Sequence, residues 1–184
     1  MAKDAGFELL FLDESDIHLH PNLTRMWMPR GEQVKIPAPG TNEKVHLFGA
    51  WNYAQDRIEY QTHDRKTRFE FRTFLTDLIE NRYPDRHLIL VLDNASYHHA
   101  HIVKEYLESV KERVFAFWLP PYAPELNLIE RVWKHVKQVG LNNFFFGNVA
   151  SLKEAVHQTF DSMNQENSTI KINFQKHKDL VTAA

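Results

Sequence analysis

The sequence predicts an α/β fold, a mixed sheet with helices on both faces. Three observations predict it. Two short and nearly continuous apolar runs, residues 7–13 (FELLFLD) and 87–93 (HLILVLD), suit strands buried on both sides. Two further strand-like runs, 45–53 and 57–62, flank Ala54-Gln55-Asp56 and read as an early antiparallel hairpin. Beyond them, helical and strand patterns alternate, the pattern of a sheet covered by helices.

The elements follow in order. After the first strand, residues 21–43 carry four Pro and two Gly and read as an irregular excursion, with short strands expected at 25–28 and 33–36. Residues 67–81 place Phe71, Phe74, Leu75, Leu78 and Ile79 at helical spacing. Tyr83-Pro84-Asp85 ends that helix, because Pro biases the residue before it away from helical angles. The strand 87–93 follows, then a helix over 99–111 with Ile102, Val103, Tyr106, Leu107 and Val110 inward, then a strand over 114–119. A proline-rich loop, 120–125, leads to a helix over 128–139 with Ile129, Val132, Trp133 and Val136 on one face. A last helix over 151–163 opens on Ser151-x-x-Glu154, a capping-box pattern. Two units are expected: a catalytic domain over 1–145, and a C-terminal helix and tail over 146–184 packed on it or extending it.

Composition narrows the function. The chain has 184 residues, enough for one domain with a real core, and is 43% hydrophobic and 25% charged, the profile of an ordered globular protein. It has no cysteine, which excludes disulfides, thiolate zinc sites and a cysteine nucleophile. No apolar run approaches the ~20 residues of a membrane-crossing helix. The opening MAKDAGFELLFLDES does not read as a secretory signal. The net charge of -2 lends no support to a nucleic-acid partner, although eleven His would turn the chain basic in mild acid.

Two of the apolar strands end alike, in Leu12-Asp13 and Leu92-Asp93. An Asp in that position has its carboxylate held by stiff backbone where the sheet meets solvent; the alternative is a turn or helix cap. A third acid, Glu130, sits at the start of the helix that follows Pro120, Pro121 and Pro124. Its alternative is specific: in Asn127-Leu-Ile-Glu130 it would serve only as the far half of a capping box. If the three converge, they form an oxygen-only site for two divalent ions. Such a site activates a water or a 3′-hydroxyl against a phosphodiester, and the hard ions Mg2+ and Mn2+ suit it.

Four segments together carry a resemblance. They are Phe11-Leu-Asp13-Glu-Ser15, Trp27-x-x-x-Gly31, Leu90-Val-Leu-Asp93-Asn-Ala95-x-x-His98, and Leu119-Pro-Pro-Tyr-Ala-Pro-Glu-Leu-Asn127-x-Ile-Glu130-x-x-Trp133-x-x-x-Lys137. They resemble the catalytic domain of DDE transposases, in the insertion-sequence-630 branch of the Tc/mariner superfamily, over residues 7–138. The resemblance implies a ribonuclease-H-like fold and Mg2+-dependent DNA cleavage and strand transfer at transposon ends, with two ions per site and Mn2+ able to substitute. It places the catalytic, metal-binding triad on Asp13, Asp93 and Glu130. Thirty-six residues separate the last two, close to the family's spacing. Leu128 departs from the family's usual Pro, at a helix start where Pro is favoured but not required. The resemblance also implies transposon-end and target DNA as partners, a homodimer or multimer on that DNA, a bacterial, nucleoid-associated cytoplasmic setting, and paired helix-turn-helix units upstream of the first Asp. Only twelve residues precede Asp13 here, so those units are expected on a separate or upstream region.

Other residues carry weaker expectations. Asn94 and His98 could support the metals; an Asx turn and a helix-start His are the alternatives. Arg65, Lys66 and Arg68 lie in a local basic segment, and Arg131, Lys134 and Lys137 on the third helix; either group could track phosphates or be ordinary solvated surface. Trp27 could stack on a base, while Trp51, Trp118 and Trp133 read as packing. Glu125 reads as shaping its loop. His18 and His20 form a solvated pair or, on the rival reading of a metallohydrolase, metal ligands. A catalytically inactive assembly remnant and a cellular nuclease of the same fold are the competing functions.

Overall fold

The computed structural model describes residues 6–121, 123–166 and 168. Five strands form one sheet in the order β3-β2-β1-β4-β5. They are β1 (Phe7–His18), β2 (Lys44–Asn52), β3 (Arg57–His63), β4 (His87–Leu92) and β5 (Val114–Trp118). β1 pairs antiparallel with β2, and β2 antiparallel with β3; β1 pairs parallel with β4, and β4 parallel with β5. The helices are α1 (Arg68–Thr76), α2 (His101–Ser109), α3 (Ile129–Val136) and α4 (Val149–Asn164).

Strand alternation explains why β1 reads as a continuous apolar run. Leu10 and Leu12 join Phe48, Phe71, Phe74 and Leu90 in a core beneath α1 and α2, whereas Phe11 and Ile17 join Trp51, Val132, Trp133 and Phe160 beneath α3 and α4. α4 therefore belongs to the same body as the sheet; the tail beyond residue 168 lies outside the described residues.

Several boundaries differ from the sequence reading. β1 does not stop at Asp13 but runs to His18, because β2 continues to pair with it as far as Lys44. Asp13 is thus in mid-strand, while β4 ends at Leu92 and leaves Asp93 at its mouth. No strand forms within 21–43; a single backbone bond, Leu19 N–H to the Glu43 carbonyl at 2.8 Å, closes the root of the excursion. α1 starts after the cap Thr67, and its continuation Asp77–Arg82 widens into a π-type turn. The wider turn brings Leu78 and Tyr83 to one face, where both are buried. α2 begins at His101 because Ala100 is extended; a separate 3-10 turn, Ser96–His99, precedes it. The last helix starts earlier than expected: its capping box is Asn148 with Ser151, not Ser151 with Glu154.

Candidate active site

The sheet topology brings two acids side by side. Phe11 and Val91 are the last paired residues of β1 and β4. Two residues further along each chain, on the same face by alternation, come Asp13 and Asp93. Glu130 enters from α3. All three line one open cleft of about 560 Å³, whose opposite wall is Leu119, Pro120 and Pro121.

The capping alternative for Glu130 fails. α3 has no side-chain cap, and the Asn127 amide instead donates to the Leu12 carbonyl at 2.8 Å. That bond ties the start of α3 to the residue before Asp13. Glu130 is exposed, and its carboxylate accepts no hydrogen bond among the described residues.

Asp13 is crowded by negative charge. Burial, then the neighbouring carboxylates of Glu14 and Glu130, push its pKa up to about 8 against the pull of the Glu14 backbone N–H and the Trp133 N–H. The Trp133 indole donates to its Oδ2 at 2.9 Å. Sequence reasoning took Trp133 as packing. The missed signal was that a buried indole N–H requires an acceptor.

Asp93 is held from below. Its Oδ1 accepts from the Ala95 amide at 3.0 Å and pairs with His98 Nδ1 at 2.9 Å. His98 is fully buried, stacked on Phe71 at 4.2 Å between centroids, and its Nε2 meets Glu14 Oε1 at 2.8 Å. The other Glu14 oxygen accepts from the Tyr97 hydroxyl. With a carboxylate at each nitrogen, the imidazole is held as the cation: burial works against the charge, but the bonds to Asp93 and Glu14 win and raise the His98 pKa to about 9. The His98 bond in turn keeps Asp93 below the usual carboxylate range despite its partial burial. His98 thus supports the site through Asp93, and Glu14 is the partner that sequence reasoning missed. Its signal was an ionisable residue next to Asp13 but on the opposite, core-facing side of β1.

The remaining expectations are placed as follows. Asn94 is turned away from a ligand role, since its amide bonds the Leu119 carbonyl and its carbonyl meets His99 Nε2 at 3.0 Å, joining the ends of β4 and β5. Lys66 pairs with Asp16 at 3.4 Å, in a cluster with Lys44 and His46 that holds Asp16 well below the carboxylate range, the bonds to both outweighing its partial burial. Arg68 lies over the Phe69 ring at 5.4 Å. Arg65, Arg131 and Lys134 are exposed, and Lys134 is one turn beyond Glu130. Lys137 lines a different cavity with His18 and His20, and Trp27 projects fully into solvent. Glu125 sits exposed in a 3-10 turn before α3.

Among the described residues, no three His, Cys, Asp or Glu side chains stand close enough to hold one ion, so the acids line the cleft without being drawn tight. The donor set nevertheless fits a hard divalent ion. It is oxygen-only, and Asp13 is pushed toward its neutral form by burial and by two neighbouring carboxylates, a burden that a cation would relieve.

Known proteins share this architecture. The chain is similar to the "Insertion element IS630 uncharacterized 39 kDa protein" of Shigella sonnei, with 27% identity over 161 residues, covering 87% of this chain and 46% of that one. It is similar to an uncharacterized protein, y4pE/y4sA, of Sinorhizobium fredii, with 35% identity over 60 residues, covering 33% of this chain and 41% of that one. Among solved structures, the Mos1 transposase paired-end complex with left transposon end superposes with a TM-score of 0.68 at 18% identity, covering 92% of this chain and 52% of that one. The catalytic core domain of BIV integrase superposes with a TM-score of 0.55 at 16% identity, covering 95% of both. These likenesses establish the ribonuclease-H-like fold; the chain spans about half the length of the Shigella relative and of the Mos1 transposase chain. The DDE superfamily endonuclease family matches residues 8–153, most of the chain including all three acids, and the chain belongs to that family.

Proposed function

We propose that the chain is the catalytic domain of a cut-and-paste transposase, with Asp13, Asp93 and Glu130 as its metal-binding triad. The observation that carries this reading is the meeting of three carboxylates, from mid-β1, the mouth of β4 and the start of α3, in one cleft. Asp13 and Asp93 would hold the shared ions, and Glu130 would complete the second site. Mg2+ is the working ion of this reading and Mn2+ its substitute; bound there, such ions activate the attacking oxygen and stabilise the leaving one. The residues supply the rest. His98 and the Ala95 amide hold Asp93 through Oδ1, leaving its Oδ2 for an ion, and Trp133 orients Asp13 through its Oδ2. The Leu119–Pro121 wall gives the cleft a rigid side against which a DNA strand would lie.

The substrates on this reading are transposon ends and then target DNA, attacked first by water and then by the freed 3′-hydroxyl. End recognition rests with helix-turn-helix units elsewhere, upstream or on a separate polypeptide, and the chain acts as part of a dimer or multimer in the bacterial cytoplasm. Exposed Arg65, Arg131 and Lys134 are the phosphate contacts of choice, and Trp27 is a stacking one. Among the described residues, no helix is long and apolar enough to cross a membrane.

The test is Mg2+-dependent nicking of supercoiled plasmid. Wild type should nick, Asp93→Asn should not, and zinc should not replace Mg2+. Absence of nicking in wild type with both Mg2+ and Mn2+ would favour a binding remnant instead.

A further inference from the structure

We propose that Trp133, admitted by the absent side chain of Gly49, is the positioning residue that sets Asp13 against Glu130. The inference rests on the reading of those two acids as metal ligands. α3 carries Glu130 and, three residues later, Trp133, so one rigid turn of helix bears both. The Trp133 indole is only 3% exposed, and its N–H reaches Asp13 Oδ2 at 2.9 Å.

Gly49 makes this approach possible. It lies on β2 directly opposite Asp13 of β1. A Cβ at position 49 would stand 2.3 Å from Cη2 and 2.8 Å from Cζ2 of Trp133, and 3.5 Å from Cδ1 of Ile129. The first two distances are closer than packed atoms can come. The ring is also backed edge-on by Phe160, with centroids 6.1 Å apart. A side chain at 49 would therefore force the indole out of this seat, disturbing its bond to Asp13 and the seating of α3 that carries Glu130.

Two variables are fixed by one side chain. The width of the indole sets the gap between helix and strand, and its N–H fixes the orientation of the Asp13 carboxylate. Partners of this outer kind orient a ligand and tune its affinity for the ion. Pure packing would need only the ring, so Phe in place of Trp separates the two roles.

The experiment is a Mn2+ titration of the purified chain, read as free Mn2+ by electron paramagnetic resonance, with thermal melts in parallel. Trp133→Phe should stay folded and bind Mn2+ about 10- to 100-fold more weakly. Gly49→Ala should be less stable, and its folded fraction should also bind more weakly. A second measurement does not depend on either variant folding: in 15N-labelled protein, Asp13→Ala should move one of the four indole N–H signals upfield. Wild-type Mn2+ affinity in folded Trp133→Phe, or four unmoved indole signals in Asp13→Ala, overturns the proposal. The underlying reading fails separately, and only if Asp13→Ala itself binds Mn2+ as wild type does.

Discussion

The two strand-borne acids and the helix-borne acid are held in opposite ways. Asp93 rests on a buried chain of His98, Glu14 and Tyr97, and Asp13 on Trp133, so both carboxylates are oriented before any ion arrives. Glu130 is exposed and its carboxylate carries no such brace. The difference teaches where rigidity is useful. A strand deep in a sheet can bury supporting partners behind its acid. The first turn of a helix has solvent on that side, and a carboxylate there stays free to reorient, which on the proposed reading would let Glu130 adjust to an ion.

The comparison can be broken at its strongest point first. If the proposed triad is right, Asp93→Asn and Glu130→Gln should both abolish detectable plasmid nicking; residual nicking in Glu130→Gln alone would make the helix acid dispensable. The next effect separates the regions by stability. His98→Asn strips a buried charge of its partner and should cost about 3–5 kcal/mol in urea unfolding. Because the native His98 pKa lies above its unfolded value, its stabilisation is complete below about pH 6.5 and is lost as pH rises through about 9. The gap between wild type and His98→Asn should therefore narrow on the alkaline side, and a constant gap would contradict the imidazolium.

Asp13 behaves with the opposite sense of cost. Its native pKa is raised to about 8, so the fold prefers it protonated, and deprotonation works against stability from the unfolded carboxylate range up to about pH 8. Asp13→Asn should thus stabilise the metal-free protein, by a margin that grows to about pH 8 and then levels off. Mn2+ affinity of wild type should rise with pH over the same range, roughly tenfold per unit, because the ion must displace that proton. The smallest effect completes the contrast: Glu130→Gln should shift unfolding by no more than about 0.5 kcal/mol, as for other exposed positions.

The fold was legible because it rests on local pattern, and the three candidate acids were picked out by strand ends and by the resemblance of their flanking segments. Continuous apolar runs mark strands buried on two faces, and the acid ending such a run marks the mouth of β4 at Asp93, though not the end of β1 at Asp13. The braces were not legible, because they join residues 84 or 120 positions apart, Glu14 to His98 and Asp13 to Trp133, and only the β1–β4 register and the seating of α3 bring them together. The overrun of β1 past Asp13 was hidden for a related reason. Residues 14–18 (ESDIH) are too polar to read as strand, yet β2 supplies their hydrogen bonds and Lys44 and His46 neutralise Asp16. The short strands expected at 25–28 and 33–36 failed because strand-forming composition without a neighbour to pair with does not make a strand.

The way the excursion after β1 is moored has a consequence for descent. It leaves the sheet through the single bond between Leu19 and Glu43, and is clasped once more near its start. There Asn22 and Thr24 bond Asn142 and Asn143, the latter in the left-handed conformation that Asn tolerates. Between Thr24 and Thr41 no side chain is fully buried. A segment tethered at its neck and free along its length can be lengthened, shortened or exchanged with little disturbance to the carboxylates, since loop closure grows only slowly more costly with length. A lineage that needs a new partner can therefore graft it here, and the catalytic centre inherits the change without having to be rebuilt.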